Sequence, residues 1–299
     1  MSWEEKLACG EVVVIDGGTG TELQRRGVPM DEASWCGAAM VTHEDVVREV
    51  HLDYIRAGAE VIITNTFGTT RLMLEAAGFG DRVGEINRRA VEIAREAVVA
   101  SGREVAVAGS ISAMPGHFNR TTYPGLDAEL DSYREVATIF AEAGADLLAL
   151  EMMEETTHAP LAVQAACETG LPVWLGVSCR LCEVAGELVS FDHERLPFED
   201  VLDALIPFEP TVVNVMHSEI RAVPTAIEMV QQRWHGPIGV YPESGHFQMP
   251  DWQFVDVISP DDLAAEAAGW VNAGVRLLGG CCGTGPEHVA ALAPLASRS

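Results

Sequence analysis

Val275-Arg276-Leu277-Leu278-Gly279-Gly280-Cys281-Cys282-Gly283-Thr284-Gly285-Pro286-Glu287-His288 is the stretch whose reading decides the fold. An apolar run ends in two glycines, two adjacent cysteines and a third glycine, and a Pro-Glu-His helix start follows. This is one βα unit: a buried strand, a tight turn at its C-terminal end, then a helix. The glycines let the backbone adopt dihedrals that side chains forbid and let a ligand come close. Adjacent cysteines pair poorly with each other, because a disulfide prefers a longer Cα separation. They suit a soft metal far better, and thiolates favour zinc.

Outward from this unit, the same pattern recurs along the chain. Short apolar runs at 11–16, 59–65, 104–110, 145–150, 172–178, 210–215, 237–241 and 274–279 read as strands. Amphipathic runs at 43–57, 68–77 with 80–101, 127–143, 156–169, 197–206, 221–233, 260–273 and 285–296 read as the helices between them. Continuous apolar strands imply burial on both faces, hence a parallel sheet. Eight βα units predict a closed (β/α)8 TIM-type barrel, a single domain over residues 1–299. The competing topology is a doubly wound open sheet. It needs a nucleotide turn after the first strand, and Gly17-Gly18-Thr19-Gly20 lacks the spacing that cradles a pyrophosphate.

Composition narrows the functional classes. The net charge of −26 disfavours nucleic acid phosphates and anionic membrane surfaces as partners. Seven cysteines, an odd number without the spacing of a small secreted scaffold, point to a reduced cytoplasmic protein. The N-terminal residues lack the charged and apolar regions of a signal peptide, and no apolar run of about 18 residues predicts a transmembrane helix.

Nearly every unusual polar residue falls at the C-terminal end of an expected strand: Asp16, Asn65, Ser110, Glu151, Ser178-Cys179-Arg180, Asn214, Tyr241-Pro242-Glu243 and Cys281-Cys282. A barrel brings those ends together at one mouth. The irregular stretches 112–126 and 241–259 follow strands and carry His117, Phe118, Tyr123, Tyr241, Phe247 and Trp252, as substrate-covering loops do.

These residues carry a family resemblance over nearly the whole chain. Asp16-Gly17-Gly18-Thr19-Gly20-Thr21-Glu22-Leu23, Ser34-Trp35, Thr64-Asn65-Thr66-Phe67-Gly68, Leu148-Ala149-Leu150-Glu151, Pro172-Val173-Trp174 with Ser178-Cys179, Tyr241-Pro242 with Ser244-Gly245, and Gly279-Gly280-Cys281-Cys282-Gly283 together resemble the zinc-dependent homocysteine S-methyltransferases. The resemblance implies a barrel holding Zn2+ at its mouth and two small-molecule substrates, homocysteine and a methyl donor. It assigns Cys281 and Cys282 to the metal, and Asp16 and Glu151 to the amino-acid ammonium as catalytic residues. Backbone N–H groups from Gly17 through Thr19 to Gly20 are suited to the substrate carboxylate. Trp35 and Phe67 offer apolar faces to a cationic donor, and Asn65 and Ser178 complete the expected substrate shell.

The chemistry agrees with this assignment. An alkyl thiol with a pKa of about 8.5 is a poor nucleophile at neutral pH, and zinc binding converts it to a thiolate that still reacts. The chain leaves no room for folate or cobalamin modules beside the barrel, which favours a small sulfonium or ammonium donor such as S-methylmethionine.

The chain also departs from the family pattern. A third cysteine is expected directly after Asn214, where Val215-Met216-His217 stands instead. Strand alternation puts His217 on the side of Val215, and imidazole reaches further than a thiol, so His217 is the expected third ligand. Met152-Met153 and Glu243 replace a Thr with a small apolar residue and an asparagine. Met152 and Glu243 motivate an alternative acceptor, another thiol or a selenol. The missing cysteine motivates a non-catalytic barrel that binds an amino acid or a metal. Glu154 and Glu155 are expected to be solvated helix-start charges; Cys9, Cys36 and Cys167 structural; Glu287 and His288 caps. The oligomeric state stays open.

Overall fold

The structure is a computed structural model that describes residues 1–113, 123–182, 186–248 and 253–296. Eight strands follow the expected order: β1 Val13–Val14, β2 Val61–Ile63, β3 Ala106–Ser112, β4 Leu147–Glu151, β5 Val173–Val177, β6 Val212–Glu219, β7 Ile238–Glu243 and β8 Leu277–Leu278. They form one parallel sheet in the order β1-β8-β7-β6-β5-β4-β3-β2. The sheet closes on itself: Ile15 bridges Val61, Glu60 N–H donates to Val14 C=O at 2.8 Å and Asp16 N–H to Val61 C=O at 3.2 Å. Helices separate the strands and ring the barrel, so the fold is the (β/α)8 barrel and the open doubly wound sheet is excluded.

Strand alternation builds two cores. Val13, Ile15, Val61, Ile63, Ala108, Leu147, Ala149, Trp174, Val212, Met216, Tyr241 and Leu277 fill the barrel interior. Their neighbours Val14, Ile62, Val107, Leu148, Leu150, Leu175, Val213, Val215, Val240 and Leu278 face the helices. With period two, one apolar run serves both layers, which is why these strands read as unbroken hydrophobic stretches.

The sequence reading passes over several short elements. Helix Trp3–Ala8, started by a capping box between Ser2 and Glu5, seats Trp3 edge-on against Trp174 with ring centroids 5.2 Å apart. Two further helices, Thr19–Arg25 and Ala39–Thr42, follow β1. Antiparallel ribbons join Cys179–Leu181 to Leu188–Ser190 and His246–Gln248 to Gln253–Val255. Of the expected covering aromatics, His117, Phe118, Trp252 and the Phe247 side chain lie outside the described residues. Tyr241 is no loop residue: it belongs to β7 and is buried in the barrel interior. Tyr123 is tied down through its hydroxyl, which donates to Glu129 at 2.5 Å.

Candidate metal centre

The C-terminal strand ends open into a cavity of about 900 Å3 lined by Gly17, Gly18, Thr19, Trp35, Asn65, Phe67, Glu151, His217, Cys281 and Cys282, among others. At its wall the turn after β8 meets the end of β6. Cys281 Sγ lies 3.9 Å from Cys282 Sγ and 3.5 Å from His217 Nδ1. All three donor atoms fall within 4.8 Å of one another, the one such metal-holding group among the described residues. A tetrahedron with zinc–sulfur bonds of about 2.3 Å and zinc–nitrogen bonds of about 2.05 Å has edges of about 3.8 Å and about 3.6 Å. The Cys281–Cys282 and Cys281–His217 separations match those edges, so the residues fit a zinc ion.

Local sequence explains the turn. A Cβ on Gly280 would stand 2.0 Å from Thr284 Oγ1, and Gly283 holds φ +83°, where a Cβ would stand 2.0 Å from the Ser244 carbonyl oxygen. Only glycine lets the loop fold this tightly. The loop is then pinned by Thr284 Oγ1 donating to Cys281 C=O at 2.7 Å and by Arg25 donating to Gly283 C=O at 2.7 Å.

His217 reaches the site by a different route from the one expected. Val215 faces the helix layer, so plain alternation would turn residue 217 away from the cavity. Instead the β6–β7 register shifts between Met216 and Glu219, and His217 takes φ +41°, a left-handed backbone. Phe191 packs on the ring with centroids 4.7 Å apart. Burial works against charge on this ring. The Cys281 sulfur, and then Glu243 and Glu154, outweigh it and hold the pKa at about 9. Cys282 first, and burial second, push the Cys281 thiol well above its ordinary range.

The carboxylates sit deeper. Glu151 is fixed by the Ser110 hydroxyl, which donates to it, and burial pushes it up to about 7. Asp16 lies beneath the cavity floor, accepting from Ile63 N–H at 2.7 Å, and burial raises it well above the usual carboxylate range, with the Glu151 charge adding to the rise.

Other expected residues divide. Gly18 N–H is already given to Thr284 C=O at 3.1 Å, so the proposed backbone nest loses that donor. A Cβ there would lie 2.5 Å from the Cys281 carbonyl, so this glycine serves the metal loop. Asn65 lines the cavity, but its amide is committed to Cys36: Sγ donates to Oδ1 at 2.8 Å and Nδ2 donates to the carbonyl at 2.9 Å. Trp35 and Phe67 form an edge-to-face pair, centroids 6.3 Å apart, on the cavity rim. Ser178 is buried behind the wall, its hydroxyl on Met216 Sδ at 3.1 Å, and does not line the cavity.

Glu154 corrects the expectation of a solvated charge. It is 5% exposed, lines the cavity, and has its Oε1 without a partner. Burial, then Asp192, raise it to about 8. Glu155 does act as a helix-start charge, accepting from Thr157 and Ala159 N–H at 2.6 and 2.7 Å. His288 accepts from Gly285 N–H at 3.1 Å and contacts the Ile258 carbonyl, a structural role as expected. Phe191, Asp192 and Glu154 are among the cavity residues missed in the sequence. They come from the loop and ribbon beyond β4 and β5, where no periodicity marks a side chain's direction.

Fold and site together define a (β/α)8 barrel protein organised around a soft-metal donor set at its C-terminal mouth. The chain belongs to the homocysteine S-methyltransferase family, whose model matches residues 13–296. It is 27% identical to a selenocysteine methyltransferase of Astragalus bisulcatus, covering 94% of this chain and 91% of that one. It is 28% identical to homocysteine S-methyltransferase 3 of Arabidopsis thaliana, covering 97% and 91%. Among solved structures, the metallated homocysteine methyltransferase MmuM of Escherichia coli superposes with a TM-score of 0.77 at 26% identity, over 97% of this chain and 96% of that one.

Proposed function

We propose that this chain transfers a methyl group from a small sulfonium or ammonium donor, S-methylmethionine before others, to the thiol of homocysteine, giving methionine. The observation that carries the reading is the convergence of His217 Nδ1, Cys281 Sγ and Cys282 Sγ on one wall of a cavity that also holds Glu151. His217, Cys281 and Cys282 would hold a zinc ion, which when bound would supply a thiol acceptor as a reactive thiolate at neutral pH.

The chain's own residues do the rest. Glu151, with Asp16 behind it, offers carboxylate to the acceptor's ammonium and thereby sets its sulfur in register. The cationic ligand favours the ionised form of both acids, offsetting the burial that raises them. Trp35 and Phe67 give the donor's charged methyl group an aromatic rim, and Glu154, whose Oε1 has no partner, lines the same cavity. The new S–C bond forms as the donor's S–C or N–C bond breaks, and that electron pair returns to the donor's heteroatom. A reducing, cytoplasmic setting accords with seven free cysteines, and no helix among the described residues is long and apolar enough to cross a membrane.

The test is methionine formation by zinc-loaded protein from homocysteine with S-methylmethionine, betaine and other sulfonium donors. No methyl transfer from any of them refutes the reading. A relative named for selenocysteine favours including selenols and other thiols in the acceptor panel; a selenol preferred over homocysteine would move the assignment to that acceptor.

A further inference from the structure

We infer that Glu243 is a positioning residue for the metal centre: it holds the Nε2 side of His217 so that Nδ1 faces the metal. The inference rests on the reading of His217 as a ligand and adds a role that the reading does not contain.

The geometry carries it. His217 turns Nδ1 toward Cys281 at 3.5 Å, which leaves Nε2 on the far side of the ring. There the Glu243 Oε2 lies 3.4 Å away, and both side chains are mostly buried, at 13% and 16% exposure. His217 lies near the end of β6 and Glu243 ends the neighbouring β7, and Glu219 and Glu243 are register partners just past the bulge that redirects His217. Phe191 covers the ring. A left-handed backbone, a ring clamp and a carboxylate on one nitrogen together leave the imidazole a single orientation. A carboxylate accepting from the distal N–H of a metal-bound histidine fixes its tautomer and raises the basicity of the ligating nitrogen.

Charge gives a second reason. Imidazole is a neutral ligand where a thiolate is anionic, so a donor set of two cysteines and a histidine carries one negative charge less than three cysteines. Glu243 returns that charge one residue away from the metal. The two departures read in the sequence, His217 near the place of a cysteine and Glu243 in place of an asparagine, are in contact in the fold.

The experiment measures zinc affinity of the full chain by competition with a chromophoric chelator, with the visible spectrum of the cobalt-substituted protein as a second readout. Glu243→Gln is expected to weaken zinc binding tenfold to a hundredfold and to shift the cobalt bands. In a His217→Cys background the same change is expected to cost less than threefold, because a thiolate has no second nitrogen to hold. No loss in the native background, or equal losses in both, overturns the inference. If the His217→Cys chain does not fold, imidazole nitrogen NMR on the zinc-loaded native chain decides instead. Metal on Nδ1 with a proton on Nε2 supports the inference, and metal on Nε2 overturns it. His217→Ala separates the two levels. Unchanged zinc affinity there refutes the ligand reading itself, whereas loss in His217→Ala with none in Glu243→Gln refutes only the role of Glu243.

Discussion

Zinc binding is expected to be steeply pH-dependent, and the site sets the slope. In the metal-free protein His217 titrates at about 9 and Cys281 well above its ordinary range. Both therefore carry protons at neutral pH, and both must lose them to act as ligands. Affinity is full only above those raised values and falls as the pH drops. The Cys282 thiol must shed its proton too, as any thiol does to bind as a thiolate, so displacing three protons gives a slope of about three in log affinity per pH unit, which is about 4.1 kcal/mol for each unit. From about pH 8 to about pH 6 the apparent affinity should thus fall by about six orders of magnitude. The assay is a chelator competition at several pH values, corrected for the chelator's own protonation. His217→Ala removes one of the three protons, so its slope should drop to about two as its affinity weakens. A native slope below one, or a His217→Ala slope equal to the native one, would refute the reasoning.

Three more outcomes follow from the structure. Glu151, raised to about 7, is ionised only above that value, so the KM for the acceptor should fall as pH rises through it; Glu151→Gln should raise that KM and flatten the pH profile, measured by initial rates. Gly283→Ala places a Cβ at φ +83° and 2.0 Å from the Ser244 carbonyl, a backbone group that has little room to move. It should destabilise the fold by more than the about 1 kcal/mol of an ordinary glycine replacement, seen as a lower melting temperature, and weaken zinc binding with it. Trp3→Ala removes the ring that closes the barrel base against Trp174 and should cost about 3 kcal/mol in denaturant unfolding, with zinc affinity unchanged.

The eight βα units, their order and the barrel were all legible in the sequence by itself. Each strand is a short apolar run buried on both faces, and period-two burial leaves a mark that depends on no distant residue. The paired cysteines were legible too, because their adjacency and the glycines that flank them are all present in one short stretch of sequence. What only the tertiary structure decided is how His217, already the expected third donor, reaches the cavity and what surrounds it there. Alternation along the sixth strand sends Val215 to the helices. His217 enters the cavity through a bulge and a positive φ that no sequence period encodes. The same holds for Ser178, turned behind the wall onto Met216, and for Glu154, drawn out of solvent into the cavity. A strand's pattern reports only which face is dry, whereas the direction of a side chain in a bulge or loop is set by neighbours far away in the chain.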